Sequence, residues 1–528
     1  MGVSGPHSAG SESPAYQDSG ISRQDAASPA RVTRVAFGQL GVPRHGTLAA
    51  YRTEPPPRLP RAALVVRQWL WRFGPIRIPI PIARVAYILA MMVIASVGGC
   101  SAAPTELTSV TPPDGKTLLS GAEINSLIEA DFVAYDPDYP AQRAQFGERL
   151  RMLAASLANI QATGKTMACS TQIYLEAEWL YEYTADWERL NLQLARLAES
   201  VKDLKQSFAR LQAPGTGAWG VCYDEWFLQV EATLAALEDY YQRNLLPSPP
   251  HPLQIPSEIG TPEKMIAYLN RLLVSDVATA GRDNRGELGN ITTILSLAFF
   301  KDYLRDYVRR AIGRRHDDPN EQYLQPQDQA IYLDFLHEWQ DPQTGYWGAW
   351  YRSKGRIYKT ADLSITYHTI AYRRGQVAYW PQIIDTTLRI KTEPYPYGWL
   401  HDGHFNNHNN YDVARILKYG WSHMSAAQKR QASDAIREML AWTLAQSLNP
   451  DGSFKTDPTF FSSVAADYYF GVSFLDEIGF WDRSKRFWTH EVLPGAESVC
   501  RRLKARMAML KFEDLQARVA REKLNAAC

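Results

Sequence analysis

From about residue 117 to the C-terminus, apolar positions recur every three or four residues. In the stretch 141–160 they fall at Phe146, Leu150, Leu153, Leu157 and Ile160, the spacing of one helix face. The same period predicts helices over 171–211, 225–241, 264–273, 292–312, 329–339, 364–372, 412–419, 428–448, 462–475 and 504–523. The stretch 171–211 carries charge on one side and Tyr174, Trp179, Tyr181 and Trp187 on the other. No convincing set of alternating strands stands out, so the expected class is all-α. Six prolines in 246–262 interrupt the pattern. They separate a helical block over 117–245 from a second over 263–528.

The second block repeats a unit in which a helix ends, a glycine-aromatic turn follows and another helix begins. The turns are Asp341-Pro342-Gln343-Thr344-Gly345-Tyr346-Trp347-Gly348, then the stretch from Tyr397 to Phe405, then Asn449-Pro450-Asp451-Gly452-Ser453-Phe454. Trp347 and Phe405 are 58 residues apart, and Phe405 and Phe454 are 49 apart. A period of that size with two helices per unit predicts hairpins packed side by side. These turns resemble those of the α/α toroid superfamily, which includes polysaccharide lyases and hydrolases, terpene cyclases and prenyltransferase β subunits. The resemblance covers about 325–480. It implies a helical hairpin toroid, complete or incomplete, with a central cavity. Terpene cyclisation is disfavoured because the Asp-x-Asp-Asp motif is absent, and Pro319 breaks the Asp317-Asp318-x-x-Glu321 echo of an ionising motif.

Residues 1–80 are rich in Ser, Pro, Ala and Arg, with no sustained hydrophobic period. They read as a disordered leader or a start site placed too early. In the signal segment, 81–99, the run from Val85 to Gly99 is 15 residues without charge, behind Arg67, Arg72, Arg77 and Arg84. This is short for a membrane span and suited to an export signal. It ends Val97-Gly98-Gly99-Cys100. That ending resembles the bacterial lipoprotein signal, which implies cleavage before Cys100 and lipid on its sulfur. By that resemblance the chain is exported and lipid-anchored, with Ser101 allowing outer-membrane sorting. Residues 100–116 then read as a tether.

Charge sharpens this picture. Residues 1–100 hold 11 Arg and 4 acids, a net of +7, so the remaining 428 residues carry 46 bases and 52 acids, a net of −6. A mildly acidic body is a poor nucleic-acid binder, and no such partner is expected. Five cysteines exclude a disulfide-dense scaffold. In an exported protein they permit a disulfide, whose pairing the sequence does not reveal.

Four of the eleven histidines lie between 401 and 423. His408, Asp412, Arg415 and Tyr419 follow at helical spacing beside a buried face of Val413, Ile416 and Leu417, with Asn406 or Asn407 as N-cap. This material suits β-elimination on a uronate glycan, which needs a carboxylate neutraliser, a base and an acid. Asp402, Gly403, Phe405 and His408 are similar to a turn of the hyaluronate and chondroitin AC-type lyases. Asn406, Asn407 and His408 are similar to the catalytic segment of toroidal alginate lyases. The resemblance implies that Asn407 neutralises and His408 is base or its partner.

The expected catalytic set is Asp402, His404, Asn407, His408, Tyr411 and Asp412, with Tyr367 and Tyr468 as further proton-shuttling candidates. Trp347, Trp350, Arg352, His368, Trp399 and Asn406 are the expected substrate contacts, since exposed rings stack on sugars. The first alternative is glycoside hydrolysis by a carboxyl pair drawn from Asp362, Glu393, Asp402, Asp412 and Asp467. A second is a glycan-binding or envelope-assembly lipoprotein without activity. His401, His404 and His408 have ligand-like spacing but lack a helical His-Glu-x-x-His frame, so no metal and no cofactor are expected.

Overall fold

The computed structural model describes residues 118–163, 168–202, 218, 220, 222–242, 259–300, 326–401, 403–456, 464–510 and 515–528. The leader, the signal segment, Cys100, the tether, most of the proline-rich connection and Asp402 lie outside them. Among the described residues the chain is mostly helical, with sixteen α-helices and one small sheet. None of these helices is long and apolar enough to cross a membrane.

The first helix, α1 (Gly121–Tyr135), starts at a capping box in which Ser120 and Glu123 satisfy each other's backbone N–H groups. It is followed by α2 (Tyr139–Ala162), α3 (Ala168–Tyr183) and α4 (Trp187–Ser200). The single helix expected over 171–211 is thus two. The Thr184 hydroxyl bonds back to the Leu180 carbonyl, and the Asp186 side chain accepts from the Arg189 N–H at 3.0 Å to cap α4. A continuous apolar period on both sides conceals this cap in the sequence.

The chain continues through α5 (Trp226–Gln242), α6 (Pro262–Leu273), the short α7 (Val277–Ala280), α8 (Arg285–Phe300), α9 (Gln329–Trp339), α10 (Leu363–Tyr372) and α11 (Trp380–Arg389). It ends with α12 (His408–Gly420), α13 (Ala426–Trp442), α14 (Val464–Glu477), α15 (Ala496–Met509) and α16 (Leu515–Ala527). The helix expected over 504–523 is therefore also two, α15 and α16.

The mostly helical fold is compatible with the all-α expectation, and a small three-stranded sheet of β1 (Val274–Ser275), β2 (Trp350–Ser353) and β3 (Arg356–Lys359) accompanies the helices. β1 runs parallel to β2, and β2 pairs antiparallel with β3 with Ser353 opposite Arg356. Lys354 and Gly355 between them have φ of 50° and 76°. Two left-handed residues in a two-residue loop make the turn whose twist matches a hairpin. Strands of two and four residues are too short to show alternation.

The helices pack in a closed order. α3 lies against α8, α8 against α10, α10 against α12, α12 against α14, and α14 against α2, which returns to α3. α4, α6, α11 and α13 pack outside this series, while α16 joins α14 to α5. Both blocks of the sequence contribute, and Ser101–Cys528 form one compact unit. The repeated turns seat the hairpins. Gly345, at φ 71°, lies where a Cβ would come within 2.7 Å of the Ile383 nitrogen, and Gly452, at φ 85°, meets the Arg502 carbonyl in the same way. Two disulfides, Cys169–Cys222 and Cys500–Cys528, pair four of the cysteines and tie α3 to the segment before α5 and α15 to the end of α16.

Candidate active site

The closed series of helices surrounds a cavity of about 740 Å³. Every helix of the series lines it: Tyr139 and Arg143 from α2, Glu178, Glu182 and Tyr183 from α3, Arg285 from α8, Ser364 and His368 from α10, His408 from α12 and Phe470 from α14. α1 adds Glu129 and Phe132, α5 adds Glu231, α16 adds Gln516, and two loops add Asp283 and Tyr395-Pro396-Tyr397.

One wall is built around Arg285. Its Nε and Nη2 donate to the two oxygens of Asp362 at 2.6 and 3.2 Å, and its Nη1 donates to the Tyr183 hydroxyl at 2.7 Å. Asp362 is fully buried and also caps α10 by accepting from the Ile365 N–H. Burial works against the Arg285 charge, but Asp362, Tyr183 and Tyr397 together outweigh it and hold the guanidinium well above its ordinary pKa. Asp283 accepts from Ser275, Tyr351 and the Arg285 backbone N–H, and the Tyr351 and Tyr397 hydroxyls lie 3.1 Å apart. Fixed hydrogen bonds hold these groups in one arrangement.

The neighbouring wall, on α3, is carboxylic. Glu178 and Glu182 are one helical turn apart on α3, so both project from the same face. Burial raises the Glu178 carboxyl well above its usual range, and neighbouring Glu182 raises it further, against one hydrogen bond from Tyr174 at 2.9 Å. Burial raises Glu182 as well, but Arg285, Arg143 and Tyr183 all pull it back toward the ionised form. Glu231 is pushed up to about 7 by burial.

His408 is 6% exposed, and its ring lies 5.2 Å from that of Tyr395 and 4.3 Å from that of Phe470. Burial first, then His368, His404 and Arg285, lower its pKa to about 3, so the imidazole is neutral at pH 7. Behind it, Asp412 is fully buried with Oδ2 at 3.5 Å from His408 Nε2. Burial pushes the Asp412 carboxyl well up, against Arg415. The imidazole is neutral and burial disfavours the carboxylate, so this contact lacks the cation of an ion pair. His368 also faces the cavity, its Nδ1 bonded to the Ser364 carbonyl, and burial lowers its pKa.

Of the residues expected from sequence that are among those described, only His408 and His368 line the cavity. Asn407 is 1% exposed; its amide donates to Ser447 and its carbonyl accepts from Asn410 and Thr443. Those bonds brace the start of α12 against Thr443 and Ser447 just beyond α13. Asn407 is the N-cap of α12 without a side-chain cap bond, and Asn406 before it accepts from the His408 N–H at 2.7 Å and donates to Asp467. Tyr411 is buried and its hydroxyl accepts from Arg415, while the Tyr468 hydroxyl donates to the Gly452 carbonyl. Tyr367 packs edge-on to Tyr411.

His401 stacks on Trp442 with ring centres 3.3 Å apart, and His404 meets His401 edge-on. Neither lines the cavity. Trp347 and Trp399 are buried with their indole N–H groups on the Leu336 and Thr387 carbonyls, so they wedge hairpins together. Trp350 is buried under Lys359, and Arg352 points outward on β2. Glu393 accepts from the Ala122 N–H and, like Asp467 and Asp362, does not line the cavity. Among the described residues no three His, Cys, Asp or Glu side chains gather as a metal site would require.

Sequence reasoning missed Arg285, Asp283, Glu178, Glu182, Tyr183 and Glu231. The signal for the glutamate pair was present: two acids four residues apart on the aromatic side of an otherwise apolar helix face. No protein family, no curated protein and no solved structure matches this chain.

Proposed function

We propose that the chain is a glycan-cleaving enzyme, that its inner helices make an α/α toroid, and that it works in the cavity they enclose. The reading rests on one observation: two glutamates on the same face of α3 line the cavity, and the charges of Arg285 and Arg143 act on Glu182 while Glu178 has only a hydrogen bond from Tyr174. That division is what glycoside hydrolysis requires. Glu178 keeps its proton and delivers it to the glycosidic oxygen as the C–O bond breaks. Glu182, drawn toward its ionised form by Arg285 and Arg143, takes a proton from the water whose oxygen joins the anomeric carbon. Half-buried Tyr395 offers a face for sugar C–H surfaces. Substrate is a polysaccharide or oligosaccharide, and no cofactor enters the scheme.

β-Elimination keeps one observation on its side. His408 is neutral, hence able to accept a proton, and Tyr395 is beside it. That route also needs a neutraliser for the uronate carboxylate, and Asn407 does not line the cavity while Arg285 is held by Asp362. Hydrolysis therefore stands first.

The test is to incubate the chain with neutral, amino and uronate glycans while following new reducing ends and the absorbance of an unsaturated product together. Reducing ends without absorbance, lost about 100-fold or more in E178Q, support hydrolysis. Absorbance that disappears in H408A supports elimination, and retention without product supports a binding protein. Export and lipid on Cys100 rest on the sequence motif, and a C100A chain that still fractionates with membranes would remove them.

A further inference from the structure

The cavity's ionisable lining is unbalanced. Glu129, Glu178, Glu182, Glu231 and Asp283 face it against Arg143 and Arg285. Both bases are already engaged. Arg285 is clamped by Asp362, which lies outside the lining, and Arg143 donates to the Tyr139 hydroxyl and the Tyr181 carbonyl with its guanidinium 4.3 Å from the centre of the Tyr181 ring. The ion pairs among the described residues take in Glu176, Glu225 and Glu287 but none of the cavity's four glutamates. A polyuronate would bring further negative charge to this wall, and like charges in a partly desolvated space repel strongly.

The distribution of the acids matters as much as their number. They come from α1, α3 and α5 and from the loop before α8. No three of them are close enough to chelate one metal ion. They suit several cationic groups spaced along a chain. Half-buried Tyr395 lies among them and offers an apolar face to the body of a sugar, whereas Phe132 and Tyr139 stack on each other.

Resting on the glycan-cleaving reading, we infer that the substrate of this cavity carries positive charge: it is a polymer of amino sugars with free amines. The reluctance of Glu231 to ionise fits this account. An ammonium seated beside it supplies the missing counter-charge, so binding drives the proton off this carboxyl while Glu178 keeps the proton it delivers.

The test titrates the full-length chain with three oligosaccharides of equal length, made of glucosamine, N-acetylglucosamine or galacturonate, at about pH 6 where free amines are charged. Calorimetry in buffers of different ionisation enthalpy reads affinity and proton release together. The account predicts that the amine binds at least about 10-fold tighter than its acetylated counterpart and that the uronate binds weakest. Binding of the amine releases protons and weakens with salt. Glu231→Gln, which leaves the Glu178–Glu182 pair in place, weakens the amine about fivefold and leaves the acetylated sugar unchanged.

Equal or tighter binding of the acetylated or uronate chain, or no binding of the amine, overturns the inference. Turnover is read separately. An amine that binds without being cleaved defeats the hydrolytic reading alone, whereas cleavage of a neutral or acidic glycan with the amine ignored defeats this inference alone.

Discussion

Arg285 and Asp362 are 77 residues apart in sequence and joined by two hydrogen bonds in the wall of the cavity. The pair fastens the start of α8 to the start of α10. Removing either partner leaves the other charge buried without its counterpart. R285A and D362A are each expected to cost about 3–5 kcal/mol in urea unfolding. The double variant R285A/D362A should cost clearly less than the two singles added, because the second substitution removes a group already unpaired. Additive losses would mean the pair does not act as a unit.

His408 and Asp412 make the opposite case. Their contact at 3.5 Å has the form of an ion pair, yet the imidazole is lowered and the carboxyl raised. If both are neutral at pH 7, replacing the carboxyl with an amide of the same shape changes little. D412N should therefore shift stability by less than about 1 kcal/mol, where breaking a true buried ion pair would cost about 3–5 kcal/mol. Nuclear magnetic resonance of the His408 ring should find it unprotonated at pH 6 in both proteins, and a protonated ring in the wild type would contradict the account.

Glu231 makes stability depend on pH. Its folded pKa of about 7 is above the unfolded value, so the unfolded chain gives up this proton first as pH rises. Its contribution is complete below the unfolded pKa, near 4.5, and is lost as pH climbs through about 7. E231Q cannot lose that proton. The variant should match the wild type at about pH 4 and exceed it by about 2 kcal/mol at about pH 8, allowing for partial access of water. Thermal melts across that range measure it, and parallel curves would show that Glu231 titrates normally.

How far the sequence spoke depended on range. Helical periods and caps are local, so the helix over 329–339 and the buried face of Val413, Ile416 and Leu417 were legible. His408 was legible because a dense polar turn before an apolar helix face is unusual. Its partners were not, because Glu178, Arg285 and Tyr395 reach it only through the packing order of α3, α8, α10 and α12, which no local pattern encodes. Trp347 and Trp399 misled for the same reason. An indole suited to a sugar is equally suited to a hairpin wedge, and its N–H finding a backbone carbonyl decides between them.

The central claim is that water cleaves the glycosidic bond in this cavity, and the origin of the oxygen in the product tests it. Cleavage of a free-amine glycan in ¹⁸O-labelled water, read by mass spectrometry at early time, should place one heavy oxygen at each new reducing end, and E178Q should abolish the signal. A product lighter by the mass of one water and free of label, or full labelling by the E178Q protein, would contradict the account.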